Sequence, residues 1–225
     1  MKTLFLFISI LLVGTTLSFA QVNSGYDGPK PEVRQGAMSF VFLYTPFQSN
    51  LNPVPVSTVS EYPDDTADLF GAGFRYFITN EIALGVGLNF GSNSSETIDA
   101  QDDKSEFSSN TFGIAIDANY HFKPLYSVSP YAGLNVNFGN YSASLDETVG
   151  GTTTTSETSG SGFGIGVNFG FDWFFTEGLS LGGRYTLGYQ SVGKPEAKSG
   201  NTTVEGTSRS GFGIGTASVI LNVHL

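Results

Sequence analysis

Ser161-Gly162-Phe163-Gly164-Ile165-Gly166-Val167-Asn168-Phe169-Gly170-Phe171-Asp172-Trp173-Phe174 decides the fold of this chain. From Gly162 onward its odd positions, Phe163, Ile165, Val167, Phe169, Phe171 and Trp173, are all large and apolar, whereas the even positions before Phe174 are Gly, Gly, Gly, Asn, Gly and Asp. A period of two is the signature of a β-strand, whose successive side chains point to opposite faces. One face is apolar throughout, and the other is small or polar enough to meet water or a crowded polar interior. The rest of the chain reads as copies of this strand and the loops that join them.

The N-terminus fits export. Met1-Lys2-Thr3 is followed by an apolar run from Leu4 to Val13, broken only by Ser9, and then by Ser18-Phe19-Ala20. A basic start, a short apolar run and a small-residue cleavage site predict a secretory signal peptide over residues 1–20, cut after Ala20. The run is shorter than the roughly 18 apolar residues of a spanning helix. The chain has no cysteine, which excludes a lipid-modified N-terminus, disulfides, zinc thiolates and a cysteine nucleophile. With 29 Gly in 225 residues, glycine is near double its ordinary usage of about 7%, and it alternates with 20 Phe and other aromatics. The net charge of −10 argues against nucleic acid as a partner, since no basic stripe is present to displace counterions from phosphates. After Ala20 no segment is long and apolar enough for a membrane helix, so any membrane insertion must be as a barrel.

In chain order, residues 21–35 predict a flexible lead-in, and 36–225 a single β domain. Gly36 to Tyr44 reads as the first strand and the proline-bearing stretch Thr45 to Ala67 as a long loop. A hairpin follows, Asp68 to Ile78 and Ile82 to Phe90 around Thr79-Asn80-Glu81. Thr111 to Phe122 and Tyr131 to Gly139 repeat the pattern across a turn over Lys123 to Pro130, and the opening strand and Leu179 to Tyr189 repeat it across Thr176-Glu177-Gly178. Polar loops are expected over Gly91 to Asn110, Asn140 to Gly160 and Gln190 to Ser208. The last strand ends at Leu225. Its apolar set moves from Phe212 and Ile214 to Val219, Leu221 and Val223, a change of parity that predicts a bulge near Gly215-Thr216. The count is about eight strands, with short and long connections alternating.

Volume separates a membrane barrel from a soluble one. An eight-stranded barrel has an interior only just filled by side chains, too small for Phe70, Phe74, Phe112, Tyr120, Phe163, Phe169, Phe171 and Trp173 together. Turned inside out, the Gly, Ala, Asn and Thr positions fill a narrow lumen and the large apolar ones meet lipid. Phe163 to Trp173 also matches the roughly 9–11 residues of a tilted spanning strand. Phe70, Phe112, Phe163 and Phe212 stand where strands leave long loops, and Tyr76, Tyr120, Phe122 and Trp173 stand near the short turns, as two aromatic girdles would. The expectation is an all-β, eight-stranded, antiparallel, up-and-down transmembrane β-barrel.

With its signal peptide, Gly-aromatic alternation, alternating loop lengths and C-terminal strand, the stretch Gly36 to Leu225 resembles the small outer-membrane β-barrel family of Gram-negative bacteria, the OmpA/OmpX-like eight-stranded group. The resemblance implies an outer-membrane location, both termini in the periplasm and long loops outside. Family members commonly end in an aromatic residue read by the insertion machinery; here Leu225 takes that place.

Parity points Arg75, Asp117, Asp172 and Arg184 inward as a lumen charge cluster, with Asn89, Asn119, Asn135, Asn137, Asn168 and Thr186 beside them. Two charges of each sign suggest an ionic plug, and Asp172 and Arg184, on the two arms of one hairpin, are expected to pair diagonally. Structural pairing is the ordinary use of buried charges, a gated ion path the rarer one. The long loops are acidic: Glu61, Asp64 and Asp65; Glu96, Asp99, Asp102, Asp103 and Glu106; Asp146, Glu147 and Glu157; Glu196 and Glu205. Their spacing is not that of a calcium loop, so they read as solvated surface, with loose divalent-cation bridging to lipid head groups as the functional alternative. His121 and His224, both near short turns, are expected to be ordinary polar rim residues; no catalytic set, metal centre or cofactor site is identified, and the Gly repeats precede no helix that could hold phosphate. The expected protein is a monomer partnered by lipid, with a structural or surface-interaction role through its acidic loops and a polar-filled lumen. A narrow porin-like channel for small solutes or ions is the alternative.

Overall fold

A computed structural model describes residues 27–47, 69–98, 103–200 and 202–225. The expected signal segment over residues 1–20, most of the expected first long loop with Glu61, Asp64 and Asp65, and the residues Asp99 and Asp102 lie outside the described residues. The strands are β1 (Met38–Phe47), β2 (Leu69–Phe77), β3 (Ile82–Ile98), β4 (Lys104–His121), β5 (Val128–Val149), β6 (Thr152–Thr176), β7 (Leu179–Val192), β8 (Glu196–Ser199), β9 (Thr202–Glu205) and β10 (Arg209–His224). All pairings are antiparallel. β1 to β7 pair in sequence, β10 pairs with β7 and β1, and the ring of eight strands closes. β8 and β9 form a small hairpin beside β6, outside the ring.

The opening stretch lies on β6, and its two faces separate as its period demands. Phe163, Ile165, Val167, Phe169, Phe171 and Trp173 are exposed on the outside, and Gly164, Gly166, Asn168, Asp172 and Phe174 are buried toward the lumen. The other ring strands obey the same rule, giving a continuous outer belt that includes Phe40, Leu84, Val86, Ile116, Leu134 and Leu221. So much contiguous exposed hydrocarbon is a membrane-facing surface. On the belt Phe70, Phe112, Phe163 and Phe212 lie toward the long-strand end, where ring centroids run Tyr44 to Phe70 at 5.1 Å and Phe70 to Phe90 at 6.3 Å. At the short-turn end Tyr120 meets Phe122 at 5.4 Å, and Trp173 meets Phe175 at 5.9 Å, with Tyr76 nearby on the outer face.

The parity change in the last strand is a register shift between Ile214 and Ala217, where two residues of β10 stand opposite Thr186 of β7. Beyond it Ser218, Ile220 and Asn222 turn inward and Val219 and Leu221 outward. Gly178 makes the tight β6–β7 turn with φ of 76°, a left-handed conformation that a Cβ would strain.

Three expectations change. Gly91 to Asn110 and Asn140 to Gly160 are mostly strand rather than loop: β3 to β6 run 17, 18, 22 and 25 residues, far beyond the roughly 9–11 that cross a bilayer. Their Ser, Thr and Asn residues pair in register as a four-stranded sheet continuing past the apolar belt. Gln190 to Ser208 likewise holds β8 and β9. The lead-in is also tied at its end: Val33 packs on Ala37, Phe77 and Ala83, and the Gln35 N–H donates to Asn80 Oδ1 at 3.0 Å.

Candidate functional site in the barrel lumen

Inward parity brings the four charges sought in the sequence into one lumen, with partners exchanged relative to expectation. Arg75 Nη1 meets Asp172 Oδ2 at 2.6 Å, reaching from β2 to β6 across the barrel, with side chains 3% and 1% exposed. Arg184 Nη1 lies 3.9 Å from Asp117 Oδ2. Asp172 therefore does not pair with Arg184. The register explains this: Asp172 stands opposite Gly182, Arg184 opposite Gly170, and both charges are free to lean across the lumen to other strands.

Glycine makes the room. An ideal Cβ on Gly85 would fall 2.6 Å from Asp117 Oδ2, and one on Gly182 would fall 2.7 Å from Asp172 Oδ1. The alternation of Gly with large residues thus seats polar groups inside as well as spacing apolar ones outside. Asp172 also accepts from Asn222 Nδ2 at 2.9 Å, and Asn222 Nδ2 lies 2.9 Å from Ser180 Oγ. Asn119 donates to Asp117, and Thr186 Oγ1 donates to Asn168 Oδ1 at 2.8 Å. Buried charge is tolerable here because each carboxylate is paired and hydrogen-bonded.

Below this polar layer the short-turn end is closed by rings, which the sequence reading did not anticipate for a lumen of small residues. Phe77 and Phe174 point inward and are each 1% exposed. Phe77 lies 4.9 Å from His121, His121 lies 5.0 Å from Tyr131, and Phe174 stacks on His224 at 4.7 Å. Arg75 sits 5.6 Å from the Tyr131 ring centroid, linking the ring layer to the ion pair. The two histidines are therefore buried lumen residues, correcting the expectation of polar rim positions. His224 Nδ1 bonds Ser39 Oγ at 2.8 Å and its Nε2 bonds Ser180 Oγ at 2.9 Å, while His121 Nδ1 bonds Ser129 Oγ at 2.9 Å. The missed signal was parity itself, since Phe77, Tyr131 and Phe174 all occupy inward positions.

Above the ion pairs the lumen opens toward the long-strand end as a cavity of about 230 Å³, lined among others by Asn89, Asn135, Asn137, Arg184, Thr186 and Gln190. Past the belt, Lys104 on the projecting sheet contacts Glu106 at 2.6 Å and Glu96 at 3.3 Å. Its hydrogen bond to Glu106 holds the ammonium above the usual lysine range. Among the described residues no group of three His, Asp or Glu side chains is placed to hold a metal ion.

A family model described as "Outer membrane protein beta-barrel domain" matches residues 11–215. A search of curated proteins returned no match. Similar solved structures include Neisserial surface protein A, at 20% identity over 83% of this chain and 94% of that one, with a TM-score of 0.41. The attachment invasion locus protein Ail of Yersinia pestis is similar at 13% identity, over 85% and 99% of the two chains, with a TM-score of 0.40. The N-terminal barrel domain of Pseudomonas aeruginosa OprF is similar at 17% identity, over 85% and 98%, with a TM-score of 0.31.

Proposed function

The chain belongs to the outer-membrane β-barrel family, and we propose that within it this protein is a monomeric, closed barrel acting as a structural or surface-interaction element rather than as a pore. The observation that supports this most is the Arg75–Asp172 pair at 2.6 Å, buried on both sides and backed by the inward rings of Phe77, Tyr131 and Phe174. Phe77 and Phe174, each 1% exposed, fill the lumen at that layer, which supports a barrel closed to hydrated ions. In this reading residues 1–20 are a cleaved export signal, the short turns face the periplasm, and the projecting sheet of β3 to β6 stands outside the cell. That sheet and the β8–β9 hairpin display Glu96, Asp103, Glu106, Asp146, Glu147, Glu157, Glu196 and Glu205, an acidic surface suited to partners carrying positive charge. Phe70, Phe112, Phe163 and Phe212, and Tyr76, Tyr120, Phe122 and Trp173, hold the barrel at the two interfaces of the bilayer. The test is planar-bilayer recording of the refolded protein. The expected record has no stable conductance steps, and regular steps at moderate voltage would replace this reading with a narrow channel for small solutes or ions.

A further inference from the structure

We infer that the cavity above the ion pairs is a binding site for a small monocarboxylate, with Arg184 as the group that recognises it. The two lumen arginines differ in what they have left to offer. Arg75 spends its charge on Asp172 at hydrogen-bonding distance, whereas Arg184 stands 3.9 Å from Asp117, beyond that distance. The Nε of Arg184 is buried and has no hydrogen-bond partner. Asp117 is meanwhile engaged by Asn119. A guanidinium held only loosely by its carboxylate partner, on a side chain that lines the cavity, has charge and donors to offer a guest carboxylate.

The surroundings define the ligand further. The residues lining the cavity include no Asp or Glu, and Asn89, Asn135, Asn137, Thr186 and Gln190 supply neutral donors and acceptors for the rest of a polar molecule. One arginine partly offset by Asp117 suits a single negative charge better than a dianion, and the acidic surface beyond the cavity repels multiply charged anions. A volume of about 230 Å³ limits the guest to a small one. Since the Arg75–Asp172 pair is buried deeper in the lumen than the cavity's lining residues, the site holds a solute without passing it on. This goes beyond a role for the projecting sheet and stands independently of it.

The experiment is NMR of the refolded barrel in detergent micelles, following the Arg184 Nε–H signal while sodium acetate is titrated against sodium chloride at equal ionic strength. A saturable acetate shift that includes Arg184 Nε–H and the Asn135 and Asn137 side-chain amides, at least tenfold tighter than any chloride response, is expected. Arg184→Gln should abolish it. Asn137→Leu, which leaves Arg184 in place and fills the cavity with an apolar side chain, should weaken it at least tenfold, covering the case in which the arginine variant does not fold. No saturable shift, an equal response to chloride, or an unchanged response in Asn137→Leu would overturn the assignment.

Discussion

Single residues in this barrel act through what they leave buried when removed. Arg75→Ala strands Asp172 at 1% exposure with only the Asn222 amide as a side-chain donor, a loss on the order of 3–5 kcal/mol in unfolding free energy. Replacing both partners with apolar groups, as in Arg75→Met with Asp172→Leu, removes the orphan as well as the bond and should cost far less. Urea unfolding of the refolded protein in micelles measures both; equal losses in the single and double variants would mean that the pair does not hold the barrel. Glycine contributes in the opposite way, by what it leaves out. Gly85→Val pushes a side chain into Asp117 Oδ2 and should destabilise by about 1–3 kcal/mol, the usual cost of overpacking. Gly87→Ala, whose Cβ meets nothing nearer than Ala72 O at 3.7 Å, is the control and should stay within about 0.5 kcal/mol of the parent in the same unfolding assay. At this scale the sequence was informative about direction and silent about partners. Strand parity puts Arg75, Asp117, Asp172 and Arg184 on one face, and the pairs Arg75–Asp172 and Arg184–Asp117 form there. Which arginine meets which carboxylate depends on strand tilt and stagger around the ring, and a period of two carries no record of either.

At the scale of elements, apolar strands were readable and polar ones were not. β6 between Phe163 and Trp173 announces itself because hydrophobic and small residues alternate. Its other half, from Thr152 to Ser161, alternates polar with polar and so lacks the contrast that marks a half-buried strand. The β-branched run Thr152 to Thr155 was the available signal for strand there. The parity change in β10 was legible for the opposite reason, since Phe212 and Val219 could not both face lipid without an extra residue between them. The projecting halves of β3 and β4 rest on cross-strand pairing and carry their acidic side chains exposed, so they are separable from the membrane ring. Replacing residues 93–109 with a two-residue Asn-Gly turn should leave a barrel that still resists detergent and migrates anomalously on an unboiled gel. The same shortening should abolish whole-cell surface binding or aggregation by the displayed protein. Retained binding would move the interaction to another part of the surface.

Across the whole molecule two layers lie in series in the lumen, the Arg75–Asp172 pair and the ring layer of Phe77, His121, Tyr131, Phe174 and His224. Arg75→Ala alone should therefore remain non-conducting. Only a variant that also carries Phe77→Ala and Phe174→Ala should show steps in bilayer recording, and conduction by Arg75→Ala alone would reduce the rings to packing. Closure of the ring has a further consequence. β1 and β10 meet at a seam where Ser39 bonds His224 across 185 residues of chain and Thr45 bonds Ser218 at 2.8 Å. The hairpins β3–β4, β5–β6 and β6–β7 need only short loops to form. Bringing the two ends together costs about 3 kcal/mol more chain entropy than closing a four-residue turn, and no contact repays it until both edges are in place. On this ground assembly is expected to proceed as a curling sheet with two open edges, the seam being the last pairing to form and the first through which the wall can part.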